Sequence, residues 1–128
     1  MLKPYFPKCK DQPEPLQVCV ERTVRFEEVD PLGIVWHGRY ASYFEDARVV
    51  LGEKYGIGYM DLFYNGILAP IKNMHIDFKS PLKFKEEVTI EGILHFSEAS
   101  RINIEYIIRD REGKTAYCLT MQTREQHI

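Results

Sequence analysis

A chain of 128 residues, 45% hydrophobic and 28% charged, has the size and composition of one water-soluble domain whose core needs no disulfide or structural metal. Lys and Arg nearly balance Asp and Glu, and the formal charge of -2 excludes the basic field that holds a nucleic-acid backbone. A few local cations would still suffice for a small phosphorylated ligand.

Residues 1–15, MLKPYFPKCKDQPEP, are interrupted by Pro4, Pro7, Pro13 and Pro15. They never build the apolar run of a signal peptide or membrane span, so an extended arm is predicted there and a single domain over 16–128. Cys9, Cys19 and Cys118 are odd in number and widely spaced, with no Cys-x-x-Cys pair. Reduced thiols in a cytoplasmic setting are expected, rather than a disulfide framework or zinc site.

From Leu16 to Phe26, the residues Leu16, Val18, Val20, Val24 and Phe26 alternate with polar ones at the period of a strand with one buried face. Arg22 interrupts the pattern, at a bulge or at the rim of the sheet. Asp30-Pro31-Leu32-Gly33 then carries the residue preferences of a type I turn. Beyond it, Tyr40, Phe44, Ala47 and Leu51 recur at three- and four-residue intervals in a Pro-free stretch, which predicts a helix. Gly52 and Gly56 read as its stop signals, and 58–66 is too broken for a second long helix.

The remainder predicts strands over Ile71 to Phe78, Val88 to Phe96, Ile102 to Ile108 and Thr115 to Thr123. Ser80-Pro81, Ser97 to Ser100 and Asp110 to Gly113 supply the turns between them, and connections this short favour antiparallel neighbours. The expected class is α+β, one helix on an antiparallel sheet of about five strands. Apolar residues on more than one face, among them Ile93, Ile107, Tyr117, Leu119 and Met121, suggest that another subunit covers part of the sheet.

The chain holds no G-x-S-x-G, no phosphate-binding loop of the G-x-x-x-x-G-K type and no H-E-x-x-H. His75 and His95 have no third ligand at metal-like spacing, and no metal or other cofactor is expected. Lys72, Lys79, Lys83, Lys85 and Arg101 read as solvated surface from which a contact to a coenzyme A phosphate could be drawn.

The segment Val24 to Tyr40 has an Asp before a Gly turn, an apolar run, His37, and then a helix with Tyr43-Phe44-Glu45 and Ala47-Arg48. Together with Asp77-Phe78-x-x-Pro81, it resembles the signature of the 4-hydroxybenzoyl-CoA thioesterase-like hotdog proteins. The resemblance spans Leu16 to Thr123. It implies a long central helix wrapped by a curved antiparallel sheet, paired into a homodimer or homotetramer with active sites at the subunit interface. Phe26 departs from one bacterial branch of the family, which often has a Tyr four residues before the Asp; a buried strand position is expected for it.

Chemistry supports the comparison. Thioester hydrolysis needs a nucleophile or base and donors for the oxyanion that forms on the carbonyl oxygen. By the resemblance Asp30 is the catalytic carboxylate, either attacking to form an anhydride or activating water. The first N–H groups of the helix, around His37 and Gly38, lack intrahelical partners and can polarise the carbonyl. Tyr40 is read first as helix packing and as a candidate pocket wall. Glu45 is read as a supporting carboxylate, or as the partner of Arg48 three residues on.

The expected activity is hydrolysis of an acyl-CoA, or of an acyl carrier protein thioester, to a free acid. The alternatives are a hotdog hydroxyacyl-CoA dehydratase and a non-catalytic acyl-CoA-binding module, because a shared fold admits all three.

Overall fold

The computed structural model describes residues 6, 11, 13–97, 101–124 and 126–127, and of those beyond 116 the backbone alone. The expected arm over 1–15 lies mostly outside the described residues. Strand β1 (Leu16–Thr23) leads through two 3-10 turns, Phe26–Glu28 and His37–Arg39, into helix α1 (Tyr40–Tyr55) and a short α2 (Tyr59–Tyr64). There follow β2 (Ile67–Leu68), β3 (Ile71–Phe78), β4 (Glu87–His95), β5 (Arg101–Arg109), β6 (Thr115–Arg124) and β7 (Gln126–His127).

Five strands form one antiparallel sheet in the order β1-β4-β5-β6-β3, and β2 pairs separately with β7. This is the α+β hotdog arrangement, with α1 laid against β1 and β4. Tyr43, Phe44, Ala47 and Leu51 form the buried stripe of α1 and share one core with Val18, Ile90, Ile104, Tyr106 and Ile108. Full burial of each large side chain of this kind contributes about 1.5–3 kcal/mol. Gly92 of β4 sits against β1 and α1, where a Cβ would stand 3.3 Å from Val18 Cγ2 and 3.4 Å from the Cβ of Ala47.

Two local expectations change, and one left open is decided. Strand β1 ends at Thr23, and Phe26 is not a buried strand residue: it is 75% exposed on the first 3-10 turn, edge-on to Phe84. Arg22 marks no bulge, because the β1–β4 register runs unbroken from Leu16↔Leu94 to Thr23↔Glu87. It occupies an inward slot in phase with Val18 and Val20. Gly52 does not stop the helix. Gly56 does, at φ 71°, with its N–H donating to the Gly52 carbonyl. Gly52 instead seats the chain after α1, because a Cβ there would lie 2.8 Å from the Gly58 Cα.

Candidate active site

The link between β1 and α1 is a small hairpin with Asp30 at its tip. Val29 and Val35 bridge in antiparallel fashion, the Asp30 N–H donates to the Ile34 carbonyl at 2.9 Å, and the Gly33 N–H closes the turn on the Asp30 carbonyl at 2.9 Å. Gly33 has φ 79°, a left-handed conformation that a Cβ would strain. Asp30 Oδ1 accepts from the Leu32 N–H at 2.8 Å, so one carboxylate oxygen braces the turn. Oδ2 has no hydrogen-bond partner among the described residues. The hairpin is stitched to the domain by the Val35 N–H to the Leu82 carbonyl at 2.8 Å and the Trp36 N–H to the Glu28 carbonyl at 3.0 Å.

Behind the hairpin sits a buried ionic cluster. Glu28 is 3% exposed, and its Oε1 accepts from the Arg25 N–H at 2.9 Å and the Tyr43 hydroxyl at 3.0 Å, while Oε2 pairs with the Arg22 guanidinium. Arg22 also donates to Asp46 at 3.0 Å and Ser42 at 3.2 Å, and lies over the Tyr43 ring at 3.7 Å. Burial pushes the Glu28 carboxyl up, but the Arg25 N–H, the Tyr43 hydroxyl and the Arg22 charge outweigh it and hold the group below its ordinary range. Burial, then the Glu28 carboxylate, pushes the Tyr43 phenol far above its ordinary value and keeps it a donor.

His37 and Gly38 lie on the 3-10 turn that runs directly into α1. The Arg39 N–H is taken by the Trp36 carbonyl at 2.9 Å, whereas those of His37 and Gly38 donate to no carbonyl among the described hydrogen bonds. Gly38 is overlain by Trp36, and a Cβ there would fall 2.1 Å from the indole. The His37 ring stands 4.8 Å from the indole centroid. Tyr40 is 2% exposed, donates to the Val35 carbonyl at 3.4 Å and meets Phe78 edge-on. It joins the hairpin to the core and does not line the cavity alongside α1.

That cavity, of about 370 Å³, begins one residue into α1 and follows one face of the helix through Ala41, Phe44, Glu45 and Arg48. Its other walls include Tyr59, Pro70, Met74, Ile76, Ile102 and Tyr106. The expected Glu45–Arg48 pair is not formed. Glu45 Oε2 accepts from the Tyr59 hydroxyl at 3.1 Å, and Arg48 Nη2 donates to the Ile57 carbonyl at 2.8 Å while its guanidinium stacks on Tyr59 at 4.7 Å. His37 and Gly38 thus stand at the N-terminal end of α1 with the Asp30 hairpin directly before them in the chain, whereas the cavity lining includes Glu45 but not Asp30, His37 or Gly38.

Sequence reasoning passed over Glu28, Tyr59 and Tyr106. A signal for the first was present: an Arg in an inward β1 slot requires a buried acidic partner, and Glu28 is six residues on. Nothing comparable points to Tyr59 or Tyr106, which meet the helix only through the fold.

A sequence model described as the thioesterase-like superfamily matches residues 24–128. The Bacillus subtilis (strain 168) protein YneP, which carries a provisional acyl-CoA thioesterase name, is 34% identical over 108 residues, covering 84% of this chain and 75% of that protein. A DHNA-CoA thioesterase structure from Staphylococcus aureus superimposes with a TM-score of 0.77 at 25% identity, covering 87% of this chain and 74% of that one. The hypothetical protein TT1821 from Thermus thermophilus gives a TM-score of 0.77 at 27% identity, over 87% of this chain and 84% of its own.

Proposed function

The chain belongs to the thioesterase-like superfamily, and from that premise we propose that it hydrolyses an acyl-CoA to a free acid and coenzyme A with Asp30 as the reacting carboxylate. The observation that carries the proposal is the braced Asp30 hairpin followed directly by the free N–H groups of His37 and Gly38, at the helix end where an acyl-sized apolar cavity begins. Asp30 attacks the thioester carbonyl, or removes a proton from a water that does so. The N–H groups stabilise the charge on the carbonyl oxygen, the C–S bond breaks, and the thiolate leaves and takes up a proton. In the nucleophilic route water then hydrolyses the anhydride. The 4-hydroxybenzoyl-CoA thioesterase-like group is the branch we favour, on the motif from Asp30 to Arg48.

A second reading has its own observation, since Glu45 is the carboxylate that lines the cavity. Free-thiol release from a panel of aromatic and aliphatic acyl-CoAs by wild type, Asp30→Asn and Glu45→Gln decides between them. Loss in the first variant alone supports Asp30, loss in the second alone moves the role to Glu45, and no turnover by folded wild type removes the hydrolase proposal.

We also assign the working unit to a homo-oligomer. Strand β3 is an edge strand exposed along most of its length, with Ile71, Met74 and Phe78 uncovered and the first two close to or on the cavity wall. A second copy pairing there would cover both. No helix among the described residues is long and apolar enough to cross a membrane. A cytoplasmic location rests on the cysteine pattern, of which Cys19 is a free, exposed thiol.

A further inference from the structure

A second cavity, of about 340 Å³, has a largely apolar wall built from Leu16 of β1, Leu94 of β4, Phe96 just beyond it, and Ile57 and Leu62. The cavity alongside α1 draws its sheet wall from β3 instead, through Ile71, Met74 and Ile76. In the sheet order β1-β4-β5-β6-β3, these two walls stand on opposite sides of β5. Ile102, on the inward stripe of β5 with Ile104 and Tyr106, is the one residue among those described that lines both cavities. It is 7% exposed. Helix α2 divides in the same way, with its Tyr59 lining the first cavity and its Leu62 the second.

We infer that the Ile102 side chain is the partition between the two cavities and sets how long an acyl tail the site accepts. A β-branched side chain is stiff at χ1, so Ile102 does not swing aside as an unbranched one would. A tail that outgrows the first cavity on this side meets it. Behind it stand Leu16, Leu62 and Leu94, so the space it closes off suits more hydrocarbon. Each further methylene buried there would raise affinity about fourfold, a gain that the partition withholds. The inference rests on the thioesterase proposal for the identity of the bound group, and adds the residue that limits its length.

Two measurements on the intact protein test it, in wild type, Ile102→Val and Ile102→Ala. The first is thiol release from straight-chain acyl-CoAs, hexanoyl to hexadecanoyl, and from benzoyl-CoAs lengthened by para-alkyl groups. The second is calorimetric titration with the corresponding free acids. Wild type should show a tail length beyond which kcat/KM and acid affinity stop rising. That limit should move to longer tails in both variants, with a gain of about tenfold for the first tail that wild type fails to house, as one or two methylenes supply. Ile102→Val removes a single methyl and reads the limit should the larger truncation unfold the chain. Adding Leu16→Trp, at a wall residue of the second cavity that is 39% exposed, should refill that space and return the limit to its wild-type place. A wild type without a limit, a limit unmoved in the folded variants, or one that Leu16→Trp leaves extended overturns the partition. A limit that moves in acid binding without turnover upholds the partition and removes the hydrolase proposal, whereas turnover with an unmoved limit does the reverse. Neither turnover nor binding defeats both.

Discussion

The Tyr43 hydroxyl donates to Glu28 Oε1 across 3.0 Å, joining the first turns of α1 to a residue two positions before Asp30. The same carboxylate holds Arg22 of β1, so one buried ion ties the strand, the hairpin and the helix together. Removing Glu28 leaves Arg22, among the described residues, with Asp46, Ser42 and the face of the Tyr43 ring. Glu28→Ala should destabilise the fold by about 2–3 kcal/mol, and Tyr43→Phe by about 1 kcal/mol, read from urea unfolding midpoints at constant slope.

The Glu28 carboxyl also predicts an acid limb. Its pKa is lowered on folding from an ordinary 4.5, so the folded state binds the proton less tightly than the unfolded one. The stability it supplies is complete above that ordinary value and is lost as pH falls through the lowered one. Unfolding midpoints measured from neutral pH downward should therefore fall more steeply for wild type than for Glu28→Gln, with the two curves converging in slope at neutral pH. Equal acid slopes would show that Glu28 titrates alike in both states.

Asp30 has a bracing role and a proposed chemical role that two substitutions separate. Asp30→Asn keeps an oxygen for the Leu32 N–H, so its unfolding midpoint should stay near wild type while turnover falls by about 100-fold or more. Asp30→Ala loses both. Its additional cost, about 1 kcal/mol in unfolding, would isolate the turn from the chemistry.

Two glycines should respond for different reasons. Gly52→Ala places a methyl 2.8 Å from both the Gly58 Cα and Arg48 Nη1, so backbone must shift and the cost should be about 1–3 kcal/mol. Gly33→Ala meets no atom within 4 Å but keeps φ 79°, and should cost about 1 kcal/mol through backbone strain. Thermal unfolding of both variants, with kcat measured alongside, checks the order.

A charge on the exposed edge strand should separate subunits. Sedimentation equilibrium is expected to find wild type as a dimer or tetramer, with Met74→Glu shifted toward monomer. A monomeric wild type at working concentration would refute the oligomer.

Much of the architecture was legible in the chain itself. The two-residue alternation of β1, the Tyr40 to Leu51 stripe and the Asp30 to Gly33 turn are local patterns, and local backbone geometry obeys them. The ends of elements were less legible, because Gly52 and Gly56 are the same residue type and only the folded chain seats the first against Gly58 and ends the helix at the second. Only the fold could decide which acidic residue answers Arg22, that Glu45 and Arg48 part to meet Tyr59, and that Tyr106 shares a cavity with them. Each of those contacts joins residues from different elements, and side chains distant in sequence acquire their partners, solvation and protonation only when α1 closes on the sheet.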